Sequence, residues 1–205
     1  MEITPIYSVP FWQTNYPKFE EQKEIILDAC RRYRQENPIS EYKSNVAGYQ
    51  SPKFLHAKEE LKDFFEYICQ IANRASEDLD FIERNIFITG SWVNINDTRQ
   101  AMNSSHVHGD VFSGVFYVKC PEESGKFLIT NPGINMMWMG CDLSRNKNKF
   151  TGETVKIEPE EGKIFLWPSY IPHSVETNNH DDERISISFN IIALPADENL
   201  RFKGH

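Results

Sequence analysis

Two strings of residues in this chain have the types and spacing to do chemistry at a metal ion. The first is NSSHVHGDVFSGVFYV, residues 103–118, in which His106, His108 and Asp110 alternate. Side chains two apart on a strand point to the same face, so neighbouring members of this trio can be presented together. Imidazole and carboxylate ligands in such a pair, with a third from elsewhere, make a facial set with open positions. That suits iron, manganese or zinc. By itself the string fits a solvated turn equally well.

The second string is EEGKIFLWPSYIPHSVETNNHDDERISISFN, residues 160–190. His173 follows a strand ending in Trp167-Pro168-Ser169, and Arg184 comes eleven residues later. Arg184 opens an alternating strand and shares a face with Ser186 and Ser188. A buried guanidinium beside a hydroxyl is a receptor for a carboxylate, which its fork binds bidentately. On the surface, the same arginine would instead pair with Asp181, Asp182 or Glu183.

The elements that must position these residues change character along the chain. A piece from Ile3 to Phe11, interrupted by Pro5 and Pro10, reads as an edge strand. From Lys18 to about Arg34, Phe19, Ile26, Ala29, Cys30 and Tyr33 recur at helical steps, with Pro38 beyond the end. A polar stretch with Gly48 and Pro52 leads to a second helix from about Ala57 to Ala75, with Leu61, Phe64, Phe65, Ile68, Ala72 and Ala75 inward. After Asp80 the period is two. Strands are expected at Asn85–Asn94, Ala101–His108, Phe112–Cys120, Lys126–Thr130, Thr154–Glu158, Lys163–Trp167, His173–Thr177 and Arg184–Leu194. The fold class is therefore α+β, mainly β: a sandwich or jelly roll with two N-terminal helices packed on one sheet. Residues 131–152 form one long irregular insertion, of the kind that serves as a lid or binding loop.

At 205 residues the chain reads as one domain, with helical support over 1–80 and a β core over 82–194. A net charge of −8 speaks against a nucleic acid or an anionic membrane as the main partner, since both require a basic face. The scattered Cys30, Cys69, Cys120 and Cys141 form no C-x-x-C pair and read as reduced thiols of a cytoplasmic protein. The N-terminus has no signal-peptide pattern, and no apolar run approaches the ~18 residues of a membrane span. A homodimer is compatible with all of this.

Together the two strings resemble the Fe(II)/2-oxoglutarate-dependent dioxygenase superfamily: a ligand pair on one strand, a distal His, and an Arg about ten residues on, followed by x-Ser. More narrowly they are similar to a group of 2-oxoglutarate oxygenases of bacteria and phages. That group reads roughly H-x-H-P-x-S-x-x-S-G-V-Y-Y-V, then G-x-L-x-x-F-P-S-x-x-x-H-x-V, then R-I-S-I-S-F-N. The corresponding strings here are HVHGDVFSGVFYV, GKIFLWPSYIPHSV and RISISFN. The first is one residue shorter than the family's and lacks the proline.

The resemblance implies a double-stranded β-helix that uses Fe(II), 2-oxoglutarate and O2, with His108 and His173 as metal ligands. Two registers compete for the third ligand. His108-Gly109-Asp110 spells the superfamily's H-x-D/E, and a carboxylate would offset part of the metal's charge. His106 with His108 matches the narrower group's H-x-H. A tight hairpin at Gly109-Asp110, one residue short of the Phe112 strand, favours His106.

The resemblance further implies that Arg184 binds the distal carboxylate of 2-oxoglutarate, helped by Ser186. Tyr117 resembles a tyrosine that prolyl-hydroxylase-like members use on the same group; otherwise it is a half-buried strand aromatic. Asn94 and Asn103 lie near the site or serve structure. His56, His180 and His205 read as surface residues, and Trp92 and Trp167 as core. The implied reaction is hydroxylation of a small molecule or peptide, with release of succinate and CO2. The loops 131–152 and 40–56 would hold its specificity. Two other readings stay open: a cupin-like three-histidine dioxygenase that uses no 2-oxo acid, and a jelly-roll binding module without catalysis.

Overall fold

The computed structural model describes residues 8–41, 43–97, 100–133 and 152–197. In chain order its elements are β1 (Trp12–Asn15), α1 (Phe19–Glu36), β2 (Asn45–Val46), β3 (Tyr49–Gln50), α2 (Lys62–Asp78) and β4 (Arg84–Asn96). There follow β5 (Met102–His106), β6 (Phe112–Lys119), β7 (Phe127–Thr130), β8 (Thr154–Ile157), β9 (Lys163–Pro168), β10 (His173–Val175) and β11 (Arg184–Pro195). The strands form two sheets, a six-stranded one in the order β1-β9-β6-β11-β4-β3 and a five-stranded one in the order β2-β5-β10-β7-β8. Neighbours within both sheets run antiparallel. The expected jelly roll with two helices on one sheet is what the chain forms.

The period-2 pattern of the long strands separates two environments. One face of the large sheet presents Val93, Ile95, Phe112, Phe116, Val118, Ile164, Leu166, Ile185, Ile187, Phe189 and Ile191 to the helices. Against it α1 buries Phe19, Ile26, Leu27, Ala29, Cys30 and Tyr33, and α2 buries Phe64, Phe65, Ile68, Ala72 and Ala75. Phe116 is the hub, with its ring centroid 4.7 Å from Phe64 and 5.9 Å from both Tyr16 and Phe19. Each fully buried side chain of this size contributes roughly 1.5–3 kcal/mol. This layer is the main apolar core.

The alternate residues face the small sheet, and there the composition turns polar. Register aligns Asn96 with Arg184, Asn94 with Ser186 and Tyr117, Trp92 with Ser188 and Val115, and Asn190 with Ser113. Only a small aromatic cluster, including Phe127, Phe165 and Trp167, closes the space between the sheets.

Several expectations shift. The edge strand lies at Trp12–Asn15, after the two prolines, where every residue has a backbone N–H to pair with β9; residues 3–7 of the expected Ile3–Phe11 strand lie outside the described residues. The second helix begins at Lys62, after two short 3-10 turns at Leu55–Ala57 and Glu59–Leu61. The polar stretch at 40–56 supplies β2 and β3. The hairpin expected at Gly109-Asp110 does not form. β5 and β6 belong to different sheets, and residues 107–111 cross between them. The 131–152 insertion falls almost wholly outside the described residues.

Candidate metal centre

β5 and β10 pair so that His106 sits directly opposite His173, and their ring centroids are 4.3 Å apart. His108 lies just past β5, where its backbone N–H donates to the Ser169 carbonyl at 2.9 Å. Its ring is 4.8 Å from that of His106 and 5.4 Å from that of His173. One nitrogen from each imidazole falls within 4.8 Å of the others. Among the described residues this is the one group of three His, Cys, Asp or Glu side chains so gathered.

The ring chemistry suits metal binding. The Nδ1 of His106 is 2.7 Å from the Ser104 carbonyl, and that of His173 is 2.9 Å from the Ile171 carbonyl. A carbonyl only accepts, so each Nδ1 carries the proton and each Nε2 keeps a free lone pair. Burial, then the His106 ring, pushes His173 down to about 3. Burial, His106 and the Lys53 ammonium push His108 down to about 4, against a small opposing pull from Asp110. His106 is lowered too, chiefly by burial and in part by Lys53, while its bond to Ser104 works the other way. All three rings are neutral near pH 7, the form that binds a metal.

Asp110 is engaged elsewhere. Its Oδ1 accepts a hydrogen bond from the Thr89 hydroxyl at 2.6 Å, and it is not part of the gathered group.

Arg184, the first residue of β11, is 1% exposed. Among the described residues Arg184 makes no ion pair, while Lys119 takes Asp182, and Arg31 with Lys119 takes Glu183. Instead, Nη1 of Arg184 donates to the carbonyls of Ser124, Gly125 and Glu176. Gly125, at φ +96°, permits this convergence, since a Cβ there would lie 2.4 Å from the Glu176 carbonyl oxygen. Nη2 of Arg184 is buried with no partner. So is the hydroxyl of Tyr117, a residue 1% exposed whose ionisation burial pushes up while the Arg184 charge pulls it down. Both are buried without partners, and the Arg184 charge acts on the Tyr117 hydroxyl, so each is open to an acceptor. Ser186 stands in register with Tyr117 and lines the cavity that reaches the three histidines.

That cavity is narrow, with about 30 Å³ open. This is room for a metal ion or one to two waters, and side chains must part to admit a larger molecule. Its wall includes Trp92, Asn94, Asn103, Trp167 and Ser188. Trp92 and Trp167, expected as plain core, therefore face the site, and both indole N–H groups are buried without partners. Asn94 and Asn103 belong to a side-chain network: Asn94 Nδ2 donates to Ser188, while its Oδ1 accepts from Asn103 and Asn45.

Residues 90–190, about half of the chain, match the model of the family described as "Putative 2OG-Fe(II) oxygenase". The chain belongs to the 2OG-Fe(II) oxygenases. The oxygenase accordingly works with iron(II), 2-oxoglutarate and O2, which separates it from the cupin-like and non-catalytic readings. Solved structures share its fold at low identity. A Pseudomonas putida prolyl-4-hydroxylase superposes with a TM-score of 0.63 at 14% identity, over 89% of this chain and 93% of that one. The alpha ketoglutarate dependent carbocyclase SnoK, from nogalamycin biosynthesis, gives 0.66 at 12%, over 96% and 90%. A Trichoplax adhaerens prolyl hydroxylase, in complex with a hypoxia inducible factor peptide fragment, gives 0.63 at 15%, over 95% and 87%. No curated protein sequence matches.

Sequence reasoning passed over part of the oxygenase's site. Lys53 and Gln50 reach it from the 40–56 stretch, where no periodic pattern marks them. His56, expected at the surface, is half-buried, with Nδ1 2.9 Å from the Ser91 hydroxyl. His180 is exposed as expected, and His205 lies outside the described residues. Of the cysteines, Cys30 is buried, Cys69 and Cys120 are half-buried free thiols, and Cys141 lies outside the described residues. No described helix is long and apolar enough to cross a membrane.

Proposed function

We propose that the oxygenase binds iron(II) through His106, His108 and His173 and seats the distal carboxylate of 2-oxoglutarate on Arg184, with Ser186 and Tyr117 beside it. The observation that carries this reading is the convergence of three neutral imidazoles within 4.8 Å. Neutral nitrogen donors fit iron(II), and the unpartnered Nη2 of Arg184 and hydroxyl of Tyr117 fit a carboxylate. His106, His108 and His173 would hold iron(II), which would supply the chemistry by which O2 is divided between the 2-oxo acid, released as succinate and CO2, and a substrate C–H bond.

The chain's own residues do the positioning. The carbonyls of Ser104 and Ile171 fix two imidazole tautomers. The carbonyls of Ser124, Gly125 and Glu176 hold the guanidinium so that Nη2 stays available. Trp167, 4.7 Å from His173 between ring centroids, shields that ligand from water. The helical layer and the β core act as one unit, and the substrate is a small molecule or peptide that is hydroxylated.

Anaerobic titration with Fe(II) and 2-oxoglutarate, followed by succinate analysis after O2 is admitted, tests the reading. Stoichiometric binding and succinate release are expected, and both should be lost in His173→Ala. Binding of 2-oxoglutarate that is unchanged in Arg184→Gln would reject the clamp.

A further inference from the structure

A second pocket, of about 250 Å³, opens beside the histidines and is bounded in part by Lys43, Gln50, Lys53, Trp92, His106 and His108. Among the described residues no acid lines it, although the chain has 30 acids against 22 Lys and Arg. Lys43 is already paired, with Glu41 at 2.8 Å. Lys53 makes no ion pair among the described residues and holds its ammonium 5.1 Å from the centroid of the Trp92 ring. Glu41, held by Lys43, is the carboxylate whose ionisation Lys53 favours from a distance. No ion pair holds the Lys53 ammonium itself among the described residues, which leaves it able to take an anion from outside at the mouth of the metal centre.

Lys53 is built into place. Its carbonyl accepts from Ser91 N–H at 3.2 Å, which fastens its backbone to β4. Its aliphatic stem lies over Gly90, where a Cβ would come within 3.3 Å of Lys53 Cδ. The bare glycine leaves the stem room to run along the strand toward Trp92. Gln50 adds a second signal. It pairs in register with Asn94 on the inner face, is 1% exposed, and its Oε1 has no partner. A buried acceptor left open costs stability unless a ligand supplies an N–H or O–H.

We infer that this pocket receives the anionic end of the substrate, a carboxylate or phosphate, on Lys53, with Gln50 taking a neighbouring N–H or O–H. The inference rests on the histidine triad being the metal centre. It divides the cations between two ligands: Arg184 serves the deep end and the 2-oxo acid, while Lys53 serves the mouth and the substrate. Three neutral imidazoles contribute no negative charge, so the field at the mouth favours an anion.

The test uses the full chain loaded with Mn(II) and saturating 2-oxoglutarate, titrated with benzoate, phenyl phosphate and uncharged benzamide. Mn(II) at the histidines speeds the proton relaxation of a probe held close by. Benzoate or phenyl phosphate should be relaxed well beyond benzamide, and the stronger of the two names the anion. Lys53→Gln should weaken that binding about tenfold, the scale of one charge-assisted hydrogen bond. Lys53→Arg should restore most of it, and the affinity for 2-oxoglutarate should stay unchanged in both variants. Equal relaxation of charged and uncharged probes, or no effect of Lys53→Gln, would overturn the inference. So would a loss of 2-oxoglutarate affinity in Lys53→Gln, which would assign the lysine to the cosubstrate. Mn(II) uptake is read separately from the loss of the free-ion resonance signal. Failure there breaks the metal-centre reading, while saturation transfer from the metal-free protein to the same probes still decides whether Lys53 selects anions.

Discussion

The two faces of the six-stranded sheet share one backbone and differ in almost everything else. The helix-facing side is a continuous apolar layer centred on Phe116. The cavity side carries Asn94, Asn96, Ser113, Arg184, Ser186 and Asn190, all of them buried. In an ordinary sandwich the space between the sheets is the core. Here two helices move most of the apolar packing to the outer face. The inter-sheet space is thereby free to hold polar groups whose hydrogen bonding is incomplete, among them Arg184 Nη2 and Tyr117 Oη. Stability and chemistry are separated by the thickness of one sheet, and substitutions on opposite faces should report on different properties.

The largest expected effect is on the helix side. Phe116→Ala removes a fully buried ring packed on Tyr16, Phe19 and Phe64, and should cost about 3–5 kcal/mol in chemical denaturation. The remaining folded protein should bind Mn(II) with affinity within about threefold of wild type, because no histidine contact changes. On the opposite face, His173→Ala should lower Mn(II) affinity by ~10²-fold or more, since loss even of an outer-shell partner costs 10–100-fold. It should cost the metal-free chain less stability than Phe116→Ala does, since its buried ring lies outside the main apolar layer. If both variants lost stability and metal to the same extent, the separation of the faces would be wrong.

Arg184→Gln probes the deep end of the same face. It removes the charge beside Tyr117, and the affinity for 2-oxoglutarate should fall about 10–100-fold, the scale of hydrogen bonds to a charged group. Mn(II) affinity in the absence of the 2-oxo acid should not follow. A parallel loss of both would make Arg184 a structural support of the histidines and not a receptor.

The sequence makes one face far more legible than the other. Helical spacing in α1 and α2 and alternation in the long strands reveal the apolar layer, because burying it requires those periods. The chemical residues were visible as well, since His173 and Arg184 fall at recognisable intervals around a strand. What sequence could not reveal was which distant strands pair. The pairing of β5 with β10, which sets His106 against His173, joins segments 67 positions apart by long-range strand order. Lys53 and Gln50 sit in two-residue strands and turns too short for a period, so their place beside the histidines is legible only in three dimensions. No tight hairpin sets His106 beside His108, since residues 107–111 cross between sheets, yet His106 is the residue found with His108 and His173.

The cavity face should also be the acid-sensitive one. In the folded, metal-free chain His108 and His173 hold pKa values of about 4 and about 3, below the ordinary 6.5. The unfolded chain therefore binds more protons between those values. Their contribution to stability is complete above pH 6.5 and declines as pH falls toward 4 and 3. His173 alone should account for up to about 1.4 kcal/mol per pH unit between pH 6 and 4. Denaturation midpoints of wild type and His173→Gln, compared across that window in chelator, check it. The variant's profile should be flatter, and parallel profiles would mean that the buried ring is not held neutral.

The smallest expected effect is the most discriminating for the metal site. Asp110 competes with His106 for the third ligand position in sequence, but its carboxylate is bound to Thr89 on β4. A ligand to iron would have to give up that hydrogen bond and turn toward His108, and the residue's weak influence on His108 is that of a distant charge and not of a partner. Asp110→Asn keeps the shape and an acceptor for Thr89 while removing the charge. It should change Mn(II) affinity by less than about threefold, within the range of an exposed charge interaction. His106→Ala in the same assay should cost ~10²-fold. A reversal, with Asp110→Asn losing metal and His106→Ala retaining it, would require the 107–111 crossing to rearrange when the ion binds. It would make the site a two-histidine, one-carboxylate centre.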